Sequence, residues 1–127
     1  ALVEQYNAFE PLPGEFINGK FTLGENIGDL TGLTMGYAAY KKSLNGEEAP
    51  VIDGMTGDQR FFLSYGQIWQ RKFRDEALRN RLKSDPHSPG EYRANGIVRN
   101  FDKWYEAFNV QPGDALYLAP DERVKIW

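Results

Sequence analysis

The sequence predicts a mainly α domain with long ordered loops, and three observations carry that prediction. Apolar side chains recur at helical spacing over 24–42, with Ile27, Leu30, Leu33, Tyr37 and Ala38 on related turns. Two Ser/Thr-x-x-Glu/Gln signatures, Thr56 to Gln59 and Ser88 to Glu91, mark helix starts. Proline and glycine then break the chain often enough to keep each helix short.

Taken in order, 1–21 contains Pro11, Pro13, Gly14 and Gly19, so it holds at most a short helical turn near 3–9. The first long helix runs from Gly24 to Lys41 or Lys42, and Asn45-Gly46 closes it. A loop over 46–55 leads to Thr56, which caps an aromatic helix. Phe61, Phe62, Tyr65, Ile68, Trp69 and Phe73 cover more than one face of that helix, which predicts burial on several sides. A charged helix follows over 74–83. Ser88 as N-cap, with Pro89 at the first helical position and Glu91 at the third, predicts a helix starting at Pro89 that Asn95-Gly96 ends or loosens. Another helix is expected over 101–108, and Gln111-Pro112-Gly113 turns the chain into an extended tail ending at Trp127, which is expected to anchor that tail.

The 127 residues suit one domain, and Leu, Ile, Val and Phe make up 30 of them, above the roughly 20% floor below which chains stay disordered. The longest apolar run, 115–119, is far short of the ~20 residues of a membrane helix. With a net charge of -3 and its bases interleaved with acids, the chain is a poor match to a nucleic-acid backbone. No cysteine and a single histidine, His87, exclude a disulfide framework, a thiol nucleophile and a two-histidine metal site within the chain. No charged, apolar leader precedes Ala1, so a processed chain or an excised fragment is expected.

Glu25 and Asp29, four apart at a helix start, share one face, and Gly28, Gly32 and Gly36 lie on the same side. Helix-start acids are commonly solvated and favoured by the helix dipole. Each interior glycine, however, costs ~1 kcal/mol relative to alanine, which predicts that this face is buried against a neighbouring element. Buried carboxylates need a cation, a metal or hydrogen-bond donors, and the sequence shows no obvious one. Taken alone, His87 reads equally as a loop residue stacked on Tyr92, Arg93 as a surface helix charge, and Ile68 and Trp69 as core.

Gly24-Glu25-Asn26-Ile27-Gly28-Asp29 resembles the Gly-Glu-Asn-Ile-Ala-Asp signature of the neprilysin and endothelin-converting-enzyme family of zinc metallopeptidases. Gln5-Tyr6, Asn18-Gly19 to Thr22-Leu23, Phe61-Phe62-Leu63 to Gln67-Ile68-Trp69, Asp85 to Pro89, Tyr92-Arg93 and Trp127 fall in the family's order and spacing. The resemblance covers essentially the whole chain. It implies the C-terminal helical lobe of a thermolysin-like (gluzincin) catalytic domain, with 1–127 lacking the H-E-x-x-H helix that supplies the other two zinc ligands and the general base.

By the same resemblance Glu25 is the third zinc ligand and Asp29 orients a zinc-binding histidine located elsewhere. His87 donates to the oxyanion formed as water attacks the peptide carbonyl, with Asp85 a candidate partner for its ring. Arg93 reaches a substrate backbone carbonyl, and Ile68 and Trp69 wall the first primed-side pocket. The glycine stripe would meet the absent ligand-bearing helix. Gly28 replaces the signature's alanine, and four positions where animal members carry cysteine are Ala1, Gln70, Val110 and Val124, which suggests a bacterial member, cytoplasmic or exported. One zinc ion is expected in the full-length enzyme and absent or incompletely coordinated in this chain alone. The 127 residues by themselves are expected to be inactive and able to dimerise through uncovered apolar surface. The partners implied are a peptide substrate and the rest of the catalytic domain. The rival reading is a non-catalytic all-α interaction module.

Overall fold

The structure, a computed structural model, describes residues 1–126, so the expectation for Trp127 lies outside the described residues. Six helices follow in order: α1 (Leu2–Asn7), α2 (Leu23–Ser43), α3 (Gly57–Ile68), α4 (Asp75–Ser84), α5 (Gly90–Val98) and α6 (Asp102–Phe108). Among the described residues the only β pairing is two isolated bridges, Leu12 with Glu15 and Ile52 with Met55. No helix among them is long and apolar enough to cross a membrane.

Helix α2 buries Asn26, Leu30, Leu33 and Tyr37, a stripe spaced by four, three and four residues. It lies against α5, whose Ile97 and Val98 are buried, while α3 packs on both α5 and α6. The rings of Tyr37, Phe61, Phe62 and Phe101 join α2, α3 and the start of α6. Edge and stacked pairs of this kind add to their area burial.

The chain ends of the domain are clasped together. Gln5 and Asn100 exchange amide hydrogen bonds of 2.9 and 2.8 Å, and the Gln5 Nε2 also donates to the Glu122 carbonyl. Val124 N donates to Asn100 Oδ1 at 2.8 Å, and Val124 and Ile126 pack on the core. Arg123 and Lys125 both pair with Asp102, at 2.9 and 2.6 Å, and hold its carboxyl below the usual carboxylate range, Lys125 most strongly.

Thr56 caps α3 through the reciprocal bonds with Gln59 that its sequence predicts. Asn45 and Gly46, both at positive φ, follow α2. Several expectations are corrected. Helix α5 starts at Gly90, because the Ser88 hydroxyl bonds the Asn26 side chain instead of its own helix end. Asn95-Gly96 does not end that helix: a Cβ at Gly96 would stand 2.7 Å from the Tyr6 hydroxyl, so the glycine serves close packing. Phe73 falls in the loop after α3, and Leu63 and Ile68 are exposed, so α3 is buried on one side only. Within this chain the glycine stripe is not buried either. Gly28 and Gly32 have open space where a Cβ would go, and Gly36 meets only the Phe61 ring tip at 3.9 Å.

Candidate functional site

The site lies at the margin between the packed and open faces of α2. At 100° per residue, Glu25 projects among the glycines, and Asp29 projects between them and the buried stripe. Asp29 is the deeper, its side chain 10% exposed, whereas that of Glu25 is 43% exposed. Both stand in the first two turns of α2, where the helix dipole favours negative charge.

The cation that the sequence left unidentified is Arg93, in the first turns of α5. Its Nε and Nη2 donate to the two Asp29 carboxylate oxygens, each at 2.6 Å, a bidentate fork. Nη2 also stands 3.6 Å from Glu25 Oε2. The Arg93 side chain is only 15% exposed, and the bonds it donates to Asp29 raise its already high pKa. The Trp69 ring covers the guanidinium, with its centroid 4.1 Å from Cζ.

His87 reaches the same place from the linker between α4 and α5. Its Nε2 lies 3.1 Å from Glu25 Oε2 and its Nδ1 lies 2.7 Å from Asp85 Oδ1. Asp85 accepts from the His87 backbone N–H as well, at 3.0 Å, and pairs with Arg81 at 2.5 Å. The backbone bond is the main cause of the depressed Asp85 pKa, with the His87 ring and Arg81 adding to it. An anionic Asp85 at Nδ1 leaves Nε2 as the ring atom directed at the site. Tyr92, the alternative ring partner considered for His87, instead pairs with Phe9 at 4.7 Å.

Buried polar side chains fix this geometry. The Ser88 hydroxyl donates to Asn26 Oδ1 at 2.9 Å, and Asn26 Nδ2 donates to the Thr22 hydroxyl at 3.0 Å, tying the His87 linker to the start of α2. Gly90 lets α5 begin against the Trp69 carbonyl, where any Cβ would collide. Sequence reasoning missed Asn26, although a polar residue at a core register, four before Leu30 and seven before Leu33, was the available signal.

The structure thus brings Glu25, Asp29, His87 and Arg93 together, with Trp69 over the arginine. Ile68 is exposed on the neighbouring turn of α3 and lines a groove of about 480 Å³ with Leu33, Gly36, Phe61 and Tyr65. No group of three His, Cys, Asp or Glu among the described residues is placed to hold a metal. The donor set fits zinc in one respect: Glu25 is a carboxylate on the open face, while the Asp29 carboxylate is engaged by Arg93.

A family model described as Peptidase family M13 matches residues 1–124. Human neprilysin is 37% identical over 132 residues, covering 99% of this chain and 17% of the relative. Bovine endothelin-converting enzyme 1 is 36% identical over 129 residues, with 99% and 17% coverage. Among solved structures, the zinc metalloprotease Zmp1 of Mycobacterium tuberculosis in complex with an inhibitor superimposes with a TM-score of 0.96 at 53% identity, covering 99% of this chain and 20% of that one. PepO from Lactobacillus rhamnosis gives 0.81 at 36% identity, with 99% and 18% coverage. The chain therefore spans about a fifth or less of the length of these relatives. The mainly helical architecture and the kinship with bacterial zinc peptidases agree with the sequence reading.

Proposed function

The chain belongs to peptidase family M13, and from that premise we propose that it is the C-terminal helical part of the catalytic domain of a zinc-dependent endopeptidase that hydrolyses short peptides. The observation that carries the proposal is the convergence of Glu25, Asp29, His87 and Arg93, drawn from α2, the α4–α5 linker and α5, at one margin of an open helix face. A solvated helix-start pair would need no such partners.

In this reading Glu25 holds the zinc ion, and the two remaining ligands and the general base come from an H-E-x-x-H helix outside these residues. When bound, zinc would supply Lewis-acid polarisation of the scissile carbonyl. With a proton on each ring nitrogen, His87 would hold Nδ1–H on Asp85 and donate Nε2–H to the negative charge that develops on that oxygen, a contribution typically worth ~3 kcal/mol. Arg93 binds the substrate backbone. Its Nη1 makes no hydrogen bond among the described residues and is the donor left for a peptide carbonyl, while the Asp29 fork fixes the guanidinium plane. Asp29 retains acceptor capacity for the zinc-binding histidine, since a carboxylate offers about four lone-pair sites. Ile68 and Trp69 wall the first primed-side pocket. The 127 residues alone, supplying one ligand, are inactive.

The test uses the full-length protein. Glu25→Gln is expected to lower chelator-sensitive peptide hydrolysis by more than about a hundredfold and to reduce bound zinc, because even partners one shell removed from a metal cost 10- to 100-fold. Unchanged zinc content and turnover would overturn the ligand assignment. Absence of an H-E-x-x-H sequence, expected about sixty residues before Glu25, would overturn the peptidase reading itself.

A further inference from the structure

Helix α3 grips both ends of Arg93. Four residues apart, Tyr65 in the last turn of α3 and Trp69 at its C-cap reach α5 together. The Tyr65 hydroxyl donates to the Arg93 carbonyl at 2.9 Å, while the Trp69 ring lies over the Arg93 guanidinium. One turn of α3 thus holds the backbone and the charged head of the same residue.

The neighbouring carbonyl is held in the same manner from another direction. Tyr6 of α1, fully buried, donates to the Tyr92 carbonyl at 2.9 Å and packs against Gly96. Two tyrosines from two helices therefore pin consecutive carbonyls in the first turns of α5. The two hydroxyls differ in what accompanies them. Tyr6 fixes the helix as a body, whereas Tyr65 comes with an aromatic face on the arginine head.

The fork on Asp29 is demanding: two 2.6 Å bonds in one plane tolerate little rotation of the arginine. Any shift of α5 would displace the Arg93 Cα relative to Asp29 and strain that fork. Burial disfavours the phenolate of Tyr65, so its hydroxyl remains a donor across the working pH range.

We propose that Tyr65 is a positioning residue for peptide binding: its hydroxyl on the Arg93 carbonyl, acting with Trp69 on the guanidinium, sets the depth and plane in which Arg93 meets the substrate backbone. The inference rests on the assignment of Arg93 as the substrate-binding arginine.

The test is a kinetic cycle on the full-length protein with a short peptide substrate, comparing Tyr65→Phe, Arg93→Ala and the double variant. Tyr65→Phe is expected to raise KM about fivefold, the effect of one neutral hydrogen bond, with kcat within about twofold. In the Arg93→Ala background it is expected to raise KM no further, because the residue it positions is gone. Should Tyr65→Phe fail to fold, Tyr65→His, which changes the same donor, supplies a parallel arm with the same dependence on Arg93. A lowered Tm with unchanged KM, or a KM effect that persists in full without Arg93, would overturn the proposal. Should Arg93→Ala itself leave KM unchanged, the assignment beneath it falls too. A normal Arg93→Ala defect with a silent Tyr65→Phe would sink this inference alone.

Discussion

One face of α2 turns Asn26, Leu30, Leu33 and Tyr37 to the interior, all buried, while another turns Gly28, Gly32, Met35 and Gly36 outward, with Met35 66% exposed. The same twenty-one residues therefore serve two kinds of neighbour. The packed face is complete within this chain: its apolar residues meet α3, α5 and the tail, and its one polar residue, Asn26, is satisfied by Ser88 and Thr22. The open face has no partner among the described residues at Gly28 or Gly32, yet it carries small residues that weaken a helix unless something approaches closely. Glu25 stands among the glycines, half exposed, and Asp29 stands on the border, locked to Arg93. A margin between a packed surface and an open one suits a chain that spans only a fifth of its structural relatives.

The contrast can be broken by substitution. The largest stability effect is expected at the finished face, where Leu33→Ala in the full-length protein should cost about 2–5 kcal/mol, read as a shift of the denaturant midpoint at constant slope. A cost below 1 kcal/mol would mean that this face is loosely packed. Gly32→Ala probes the other side. If the remainder of the catalytic domain closes on the stripe, the added methyl should destabilise the full-length protein by about 1–3 kcal/mol through overpacking. A gain near 1 kcal/mol, the helix-propensity difference, would show that the face stays open.

The smallest effect concerns the tail that borders the packed face, where a cleft is lined by Leu30, Thr34, Val124 and Ile126. The Asp102 carboxyl is depressed by Lys125 and Arg123, so its contribution is present in full above the ordinary carboxylate range near pH 3.8 and fades as pH falls through the lower folded value. Amide exchange in 122–126 is expected to accelerate over that acidic window before exchange in α2 does. Simultaneous loss of protection in both would remove the distinction.

How much of this was legible in the sequence differs between fold and site. The period of α2 and the Thr56 capping box were readable because each is decided within a turn or two. Ser88 was misread because a local signal of equal quality was outbid by a buried amide 62 residues away. The acidic pair was visible as a motif, and its cation was not. Arg93 and Asp29 are 64 residues apart, and nothing in spacing distinguishes that arginine from others on helix surfaces. Gly96 looked like a helix terminator because its real reason, the Tyr6 ring, belongs to another helix.

The clasp between Gln5 and Glu122 spans 117 residues, and the bond from Tyr6 to Tyr92 spans 86. During synthesis at about 5–20 residues per second, α1 leaves the ribosome roughly ten seconds before its partners exist. For that interval Tyr6 and Gln5 have nothing to hold, and the corner that carries Glu25 and Asp29 has neither its histidine nor its arginine. Assembly of this margin is thus postponed until translation has passed α5, when His87 and Arg93 can first stand beside Glu25 and Asp29.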